Sequence, residues 1–172
     1  MATLYTDIAQ NQRDGLNFPG GPGGLTTQPG GFNDPVFELG DCSIVVAVYT
    51  MTGAEAQNDV INVLRVGGGC VVDPVRSNVA GNGVGTTASV QIGDTDTAGG
   101  TIAASATRYS AAIAVNADMS ATTGVSFAGG AALITPFETT DDPCWITATF
   151  SVLTVPVAGK KLIFRLFLGW NR

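Results

Sequence analysis

Asp94 and Asp96 form an Asp-x-Asp pair, and Asp141 with Asp142 forms a second acidic pair. Carboxylates brought together from two such loops are the hard oxygen ligands that calcium takes. Gly93 to Ala98 nevertheless lacks the third ligand and the glycine of a calcium loop, and Asp, Thr and Gly equally supply the backbone geometry of solvated turns. Asp94 and Asp96 are therefore weak metal candidates, and no cofactor is expected. Ser151 with Lys160 and Lys161 has the composition of a serine-lysine nucleophile, but nothing in the chain suggests an oxyanion-stabilising loop around that serine. The glycine runs at 20–24 and 67–69 are not phosphate loops, because neither leads into a lysine-bearing helix start. Trp145, Trp170, Tyr5, Tyr49 and Tyr109 could stack on a sugar, and they are equally an ordinary core and interface allotment.

The absences are as informative. The 172 residues include no histidine, which removes Ser-His-Asp and Cys-His catalysis and imidazole metal ligands, so no enzymatic activity is expected. Eight Lys and Arg residues against 14 Asp and Glu, net charge −6, do not make a phosphate-binding groove, and nucleic acid is not an expected partner. Cys42, Cys70 and Cys144 are odd in number and widely separated, which fits neither a disulfide framework nor a C-x-x-C zinc site and reads as buried thiols. The opening residues carry no basic, apolar leader, and the apolar runs, Ile44 to Tyr49 and Leu162 to Trp170, are too short to cross a bilayer. No membrane partner is expected.

Only 13% of residues are charged, against about a quarter in a typical soluble domain. Such a chain coats itself with hydroxyl and glycine groups or hides surface against neighbours. Gly15 to Pro35 holds seven glycines and four prolines, which propagate neither helix nor central strand. An extended arm over residues 1–40 is expected, with Leu16, Phe18, Leu25, Phe32 and Phe37 as isolated anchors, followed by one domain over 41–172. Val, Ile and Thr make up 47 residues and Lys, Glu and Gln only ten, so that domain is all-β. Strands are expected at Ser43 to Met51, Val60 to Val66, Cys70 to Arg76, Thr86 to Ile92, Tyr109 to Val115, Thr123 to Phe127 and Ala131 to Phe137, with a short helix near Ile102 to Thr107. Cys144 to Val155 should place Ile146, Ala148, Phe150 and Val152 inward and its threonines outward. Lys160 to Trp170 is apolar on both faces, with Leu162, Phe164, Leu166, Leu168 and Trp170 on one and Ile163 and Phe167 flanking Arg165 on the other. About eight strands without βαβ alternation make an antiparallel two-sheet sandwich, of jelly-roll or immunoglobulin-like connectivity.

Taken together, the opening NQRDGLNFPGGPGG, the strand-turn GTTASVQIGDTDTAGGTIAA and the ending PFETTDDPCWITATFSVLTVPVAGKKLIFRLFLGW resemble the small β-sandwich proteins that decorate or cement the heads of tailed bacteriophages. The resemblance implies a non-enzymatic virion structural protein on the capsid surface, assembled in the host cytoplasm, bridging subunits of the major capsid protein and often trimeric. It carries over no catalytic residue. With it, the anchors of the arm are expected to bind the capsid, and Ile163, Phe167 and Trp170 to form the contact between copies in a homotrimer. The alternatives are a glycan-binding head-fibre or tail module for host recognition, and a tail or neck structural subunit.

Overall fold

The structure, a computed structural model, describes residues 2–13, 42–67, 69–96, 105–119, 124–127, 137–139 and 144–170. In chain order these form β1 (Thr3–Tyr5), α1 (Asp7–Arg13), β2 (Cys42–Thr50), β3 (Val60–Val66), β4 (Cys70–Val72), β5 (Asn78–Gly81), β6 (Gly85–Asp94), β7 (Ser105–Ala114), β8 (Val125–Ser126), β9 (Phe137–Glu138), β10 (Cys144–Pro156) and β11 (Lys161–Trp170). One sheet has the order β1-β3-β10-β6-β7. In the other, β11 pairs with β2 along one edge and shares its opposite edge between β4 and β5, which carry β9 and β8 outward. Every pairing is antiparallel except β1 with β3. The expected two-sheet, all-β sandwich is therefore present.

Its core is the inward rows of both sheets. Leu162, Phe164 and Leu166 of β11 and Ile146, Ala148 and Phe150 of β10 have no exposed surface, nor do Tyr109 and Phe127. Desolvating each large side chain contributes roughly 1.5–3 kcal/mol. Along β10 the inward alternation fails after Phe150, because a bulge shifts the register against β6 between Phe150 and Val152. Leu153 turns inward instead, and Val152, expected in the core, is 39% exposed.

Two further expectations are corrected. Residues 105–107, read as helix, open β7; Gly93 permits this, since a Cβ there would stand 1.8 Å from the Ser105 carbonyl oxygen. The alanine-rich stretch takes its conformation from the neighbouring strand, which overrides its helix propensity. The arm also does not include residues 2–13. β1 pairs in parallel with β3, and Thr6 caps α1 by accepting from the Ala9 N–H at 3.2 Å while its hydroxyl donates to the Val63 carbonyl at 2.6 Å. Ile8 and Ala9 are buried, and the Asp7 carboxylate accepts the Val48 N–H at 2.8 Å, so α1 ties the edge of one sheet to the edge of the other. Leu16, Phe18, Leu25, Phe32 and Phe37 lie outside the described residues.

The loop from Thr52 to Asp59 is held from within by two buried carboxylates. Glu55 accepts from the Tyr49 hydroxyl, the Thr52 N–H and hydroxyl and the Gly53 N–H. Asp59 accepts the N–H groups of Ala2 and Ala56. Burial alone would raise the Glu55 carboxyl, but its hydrogen bonds from Thr52 and Tyr49 outweigh this and hold it below its ordinary value; those from Ala2 and Ala56 lower Asp59. A depressed carboxylate stabilises the fold above its unfolded value, and that stability is lost as pH falls through the folded value. Stability should therefore decline below about pH 4, and Glu55→Gln should flatten the decline, as urea titrations across pH 2.5–6 would measure. Separately, Ile8→Ala should lower the unfolding free energy by about 2–4 kcal/mol, read from the urea midpoint.

Candidate functional site

The two inward faces are alike, but the outward faces are not. On the β10 sheet the outward positions are Trp145, Thr147, Thr149, Val152 and Thr154 on β10, Asn62 on β3, and Thr87, Ser89 and Gln91 on β6; Asn62 and Thr147 are buried, and Val152 is exposed among mostly polar residues. Hydroxyls bond one another across it: Ser89 and Ser151 lie 2.7 Å apart, and Thr154 accepts the Thr87 N–H at 3.1 Å. Water is a good partner for such a surface. Ser151 belongs to this face, whereas Lys161 opens β11 in the other sheet, so the serine-lysine arrangement is not assembled.

On the β11 sheet the outward register reads Val48–Ile163–Ala80, then Val46–Arg165–Asn78, then Ile44–Phe167. Val46 is 46% and Ile163 37% exposed, and Ile44, Val48, Ala80 and Phe167 are half-buried. Arg165 sits at the centre of this aliphatic face, and among the described residues no carboxylate is paired with it. Two of the three residues expected at a subunit contact, Ile163 and Phe167, thus share a face. Trp170 stands opposite Cys70 in the ladder, and its side chain is not among those described. The sequence reading missed the strand β5 and the β2 row, although the alternation Ile44, Val46, Val48 was visible; only the pairing shows that this row lies beside Ile163 and Phe167.

The acidic pair is neither a solvated turn nor an open ligand set. Asp94 and Asp96 are both buried, and one Asp94 oxygen accepts Arg108 Nε at 2.8 Å while the other accepts the Tyr109 hydroxyl. Arg108 also donates Nη2 to the Asp96 carbonyl at 2.9 Å. Both Asp94 oxygens are thereby engaged, which argues against a cation there; Asp141 and Asp142 lie outside the described residues. Burial pushes the Asp94 carboxyl up, opposed by Tyr109 and Arg108, and it pushes Tyr109 up as well. Cys70 and Cys144 are buried nearby, each raised to about 12 by burial first, so neither is a thiolate nucleophile near neutral pH. Among the described side chains the aromatic rings form no common platform: Tyr49 and Tyr109 are core residues, and Tyr5 packs edge-on against Trp145 at 6.0 Å and 75°.

Arg108→Met would leave the Asp94 charge without its cation in the core. That substitution should cost about 3–5 kcal/mol, seen as a lower urea midpoint with the slope unchanged.

No protein-family model and no curated protein sequence matches the chain. Among solved structures, a chain in the capsid of Ralstonia phage GP4 superposes with a TM-score of 0.54 at 16% identity, covering 99% of each chain. A chain in the acidic stable capsid structure of Helicobacter pylori bacteriophage KHP30 superposes with a TM-score of 0.51, also at 16% identity, covering 77% of this chain and 90% of that one. The sandwich is thus a fold also found in chains of two phage capsids.

Proposed function

We propose that the chain is a virion structural protein without catalytic role: a decoration, or cement, protein that seats on a tailed-phage head and bridges major capsid subunits. The observation that carries this reading is the aliphatic outward face of the β11 sheet with Arg165 at its centre. An exposed Val46 and Ile163 around a half-buried guanidinium have the composition of an interface core, where aromatic and Arg residues are enriched and other charges depleted. Covering the face desolvates its side chains, and Arg165 then requires a carboxylate from the covering surface. This chain, with 14 acidic residues against eight basic ones, has a surplus of that group. Other copies of the chain cover the face, giving a homo-oligomer of the expected trimeric kind.

The arm supplies the second attachment. Gly15 to Pro35, with Leu16, Phe18, Leu25, Phe32 and Phe37 about it, joins α1 to the first residue of β2 and has the reach to lay separated apolar anchors on the shell. Linking an arm to a rigid body on the same particle raises the effective concentration of each contact for the other. The likeness to chains of two phage capsids supports the same setting. The hydroxylated β10 face then looks to solvent, and the net charge of −6 per copy keeps free oligomers apart.

Excision must spare residues 2–13, since removing them would strip β1 and α1 from the sandwich. An internal deletion of residues 15–40 should leave the melting transition cooperative and abolish binding to heads of the encoding phage grown without the chain. Arg165→Glu should shift the native mass to the protomer in sedimentation velocity. A wild-type protein that stays a lone protomer at high concentration and ignores those heads would overturn the reading.

A further inference from the structure

Val155 is the second-last residue of β10, just before the turn into β11, with φ of 48° and 68% of its surface exposed. A β-branched residue in the left-handed region is strained, because its branched side chain crowds the backbone where Gly or Asn would sit with little cost. The surroundings hold it there. Pro156 pairs with Gly85, the Val157 N–H donates to the Val84 carbonyl at 3.0 Å, and the Gly159 N–H donates to the Met51 carbonyl at 2.8 Å. The bend itself needs only the backbone conformation, which a glycine would supply. A valine kept in that conformation with its side chain in water points to a use for the side chain outside the fold, since strain of this kind concentrates at binding sites.

The neighbours of Val155 agree. Val157 is 38% exposed, Ala158 and Ala54 are exposed, and Ala158 packs on Gly53, so the tip is a small apolar knob on a firm base. Glu55 and Asp59 of the adjoining loop turn their carboxylates inward. Lys160 and Lys161 follow this tip, and the exposed Asp118 is bridged to Asn82, whose side chain accepts the Lys161 N–H at the start of β11. The two lysines are opposite in sign to a chain that is −6 overall. The arm enters β2 at Cys42, and β2 runs its nine residues to Thr50, opposite Lys161, placing the knob about 26 Å from the arm's β2 end.

We infer that this knob is a second shell contact, in which Val155 and Val157 enter an apolar pocket rimmed by carboxylates on a capsid subunit other than the one the arm holds. The inference rests on the decoration reading and gives it the two separated attachments that bridging requires.

The test is Val155→Asn, which keeps the left-handed backbone without the branched side chain. Its melting temperature should be unchanged or up by about 2–4 °C, while its affinity for heads grown without the chain should fall at least tenfold. Lys160→Glu/Lys161→Glu should weaken head binding as well and reduce its salt dependence. Full affinity in Val155→Asn, or a lowered melting temperature showing that the valine serves the fold, would overturn the inference. Wild-type protein that fails to bind the heads would overturn the decoration reading, and the knob contact with it.

Discussion

The connection from β10 to β11 links the middle of one sheet to the middle of the other. β10 runs through the middle of one sheet, between β3 and β6, and β11 through the middle of the other, between β2 and the β4–β5 pair. Only the four residues 157–160 separate them. The chain leaves one plane and enters the other over that length, with a left-handed Val155 just before it, near the end of β10, and a left-handed Gly159 within it, where φ is +78°. The inward rows of the two strands, Ile146, Ala148 and Phe150 on β10 and Leu162, Phe164 and Leu166 on β11, belong to one buried core shared with the other strands. The interactions that close the sandwich are long-range in sequence, as when Thr6 and Val63 tie the start of the chain to β3.

That architecture leaves two outward faces, and side-chain chemistry sorts them. A face of exposed Thr, Ser and Gln competes well for water, whereas Ile44, Val46, Val48, Ile163 and Phe167 gain nothing from it. With so few charged residues, the protein has little else with which to keep the second face soluble. The buried Arg108–Asp94–Tyr109 group follows the opposite logic: its charges serve the interior and are closed to a ligand.

Strand existence and the inward rows were legible in the sequence wherever alternation was unbroken. Val60 to Val66 is β3 to the residue, and Leu162 to Leu168 alternates as the ladder does. Alternation misled at Val152, because a bulge adds a residue that no periodicity announces. Propensity misled at 105–107, where Gly93 admits a close strand neighbour. Asp94 and Asp96 look like turn residues because turns use aspartate, and only Arg108, 14 residues from Asp94 in sequence, shows that they are interior.

Composition and local pattern by themselves determined the all-β class, the absence of histidine chemistry, the charge-poor surface and the inward side chains of the long strands, since each depends on residue type and on a period of two. Tertiary structure decided the rest. It built the first residues into the sandwich through β3 and β2, sealed the acidic pair in the core, and set Ile44, Val46 and Val48 beside Ile163 and Phe167 as one face. These are pairings between segments far apart in the chain, and their register follows from how the whole core packs, which no local stretch encodes.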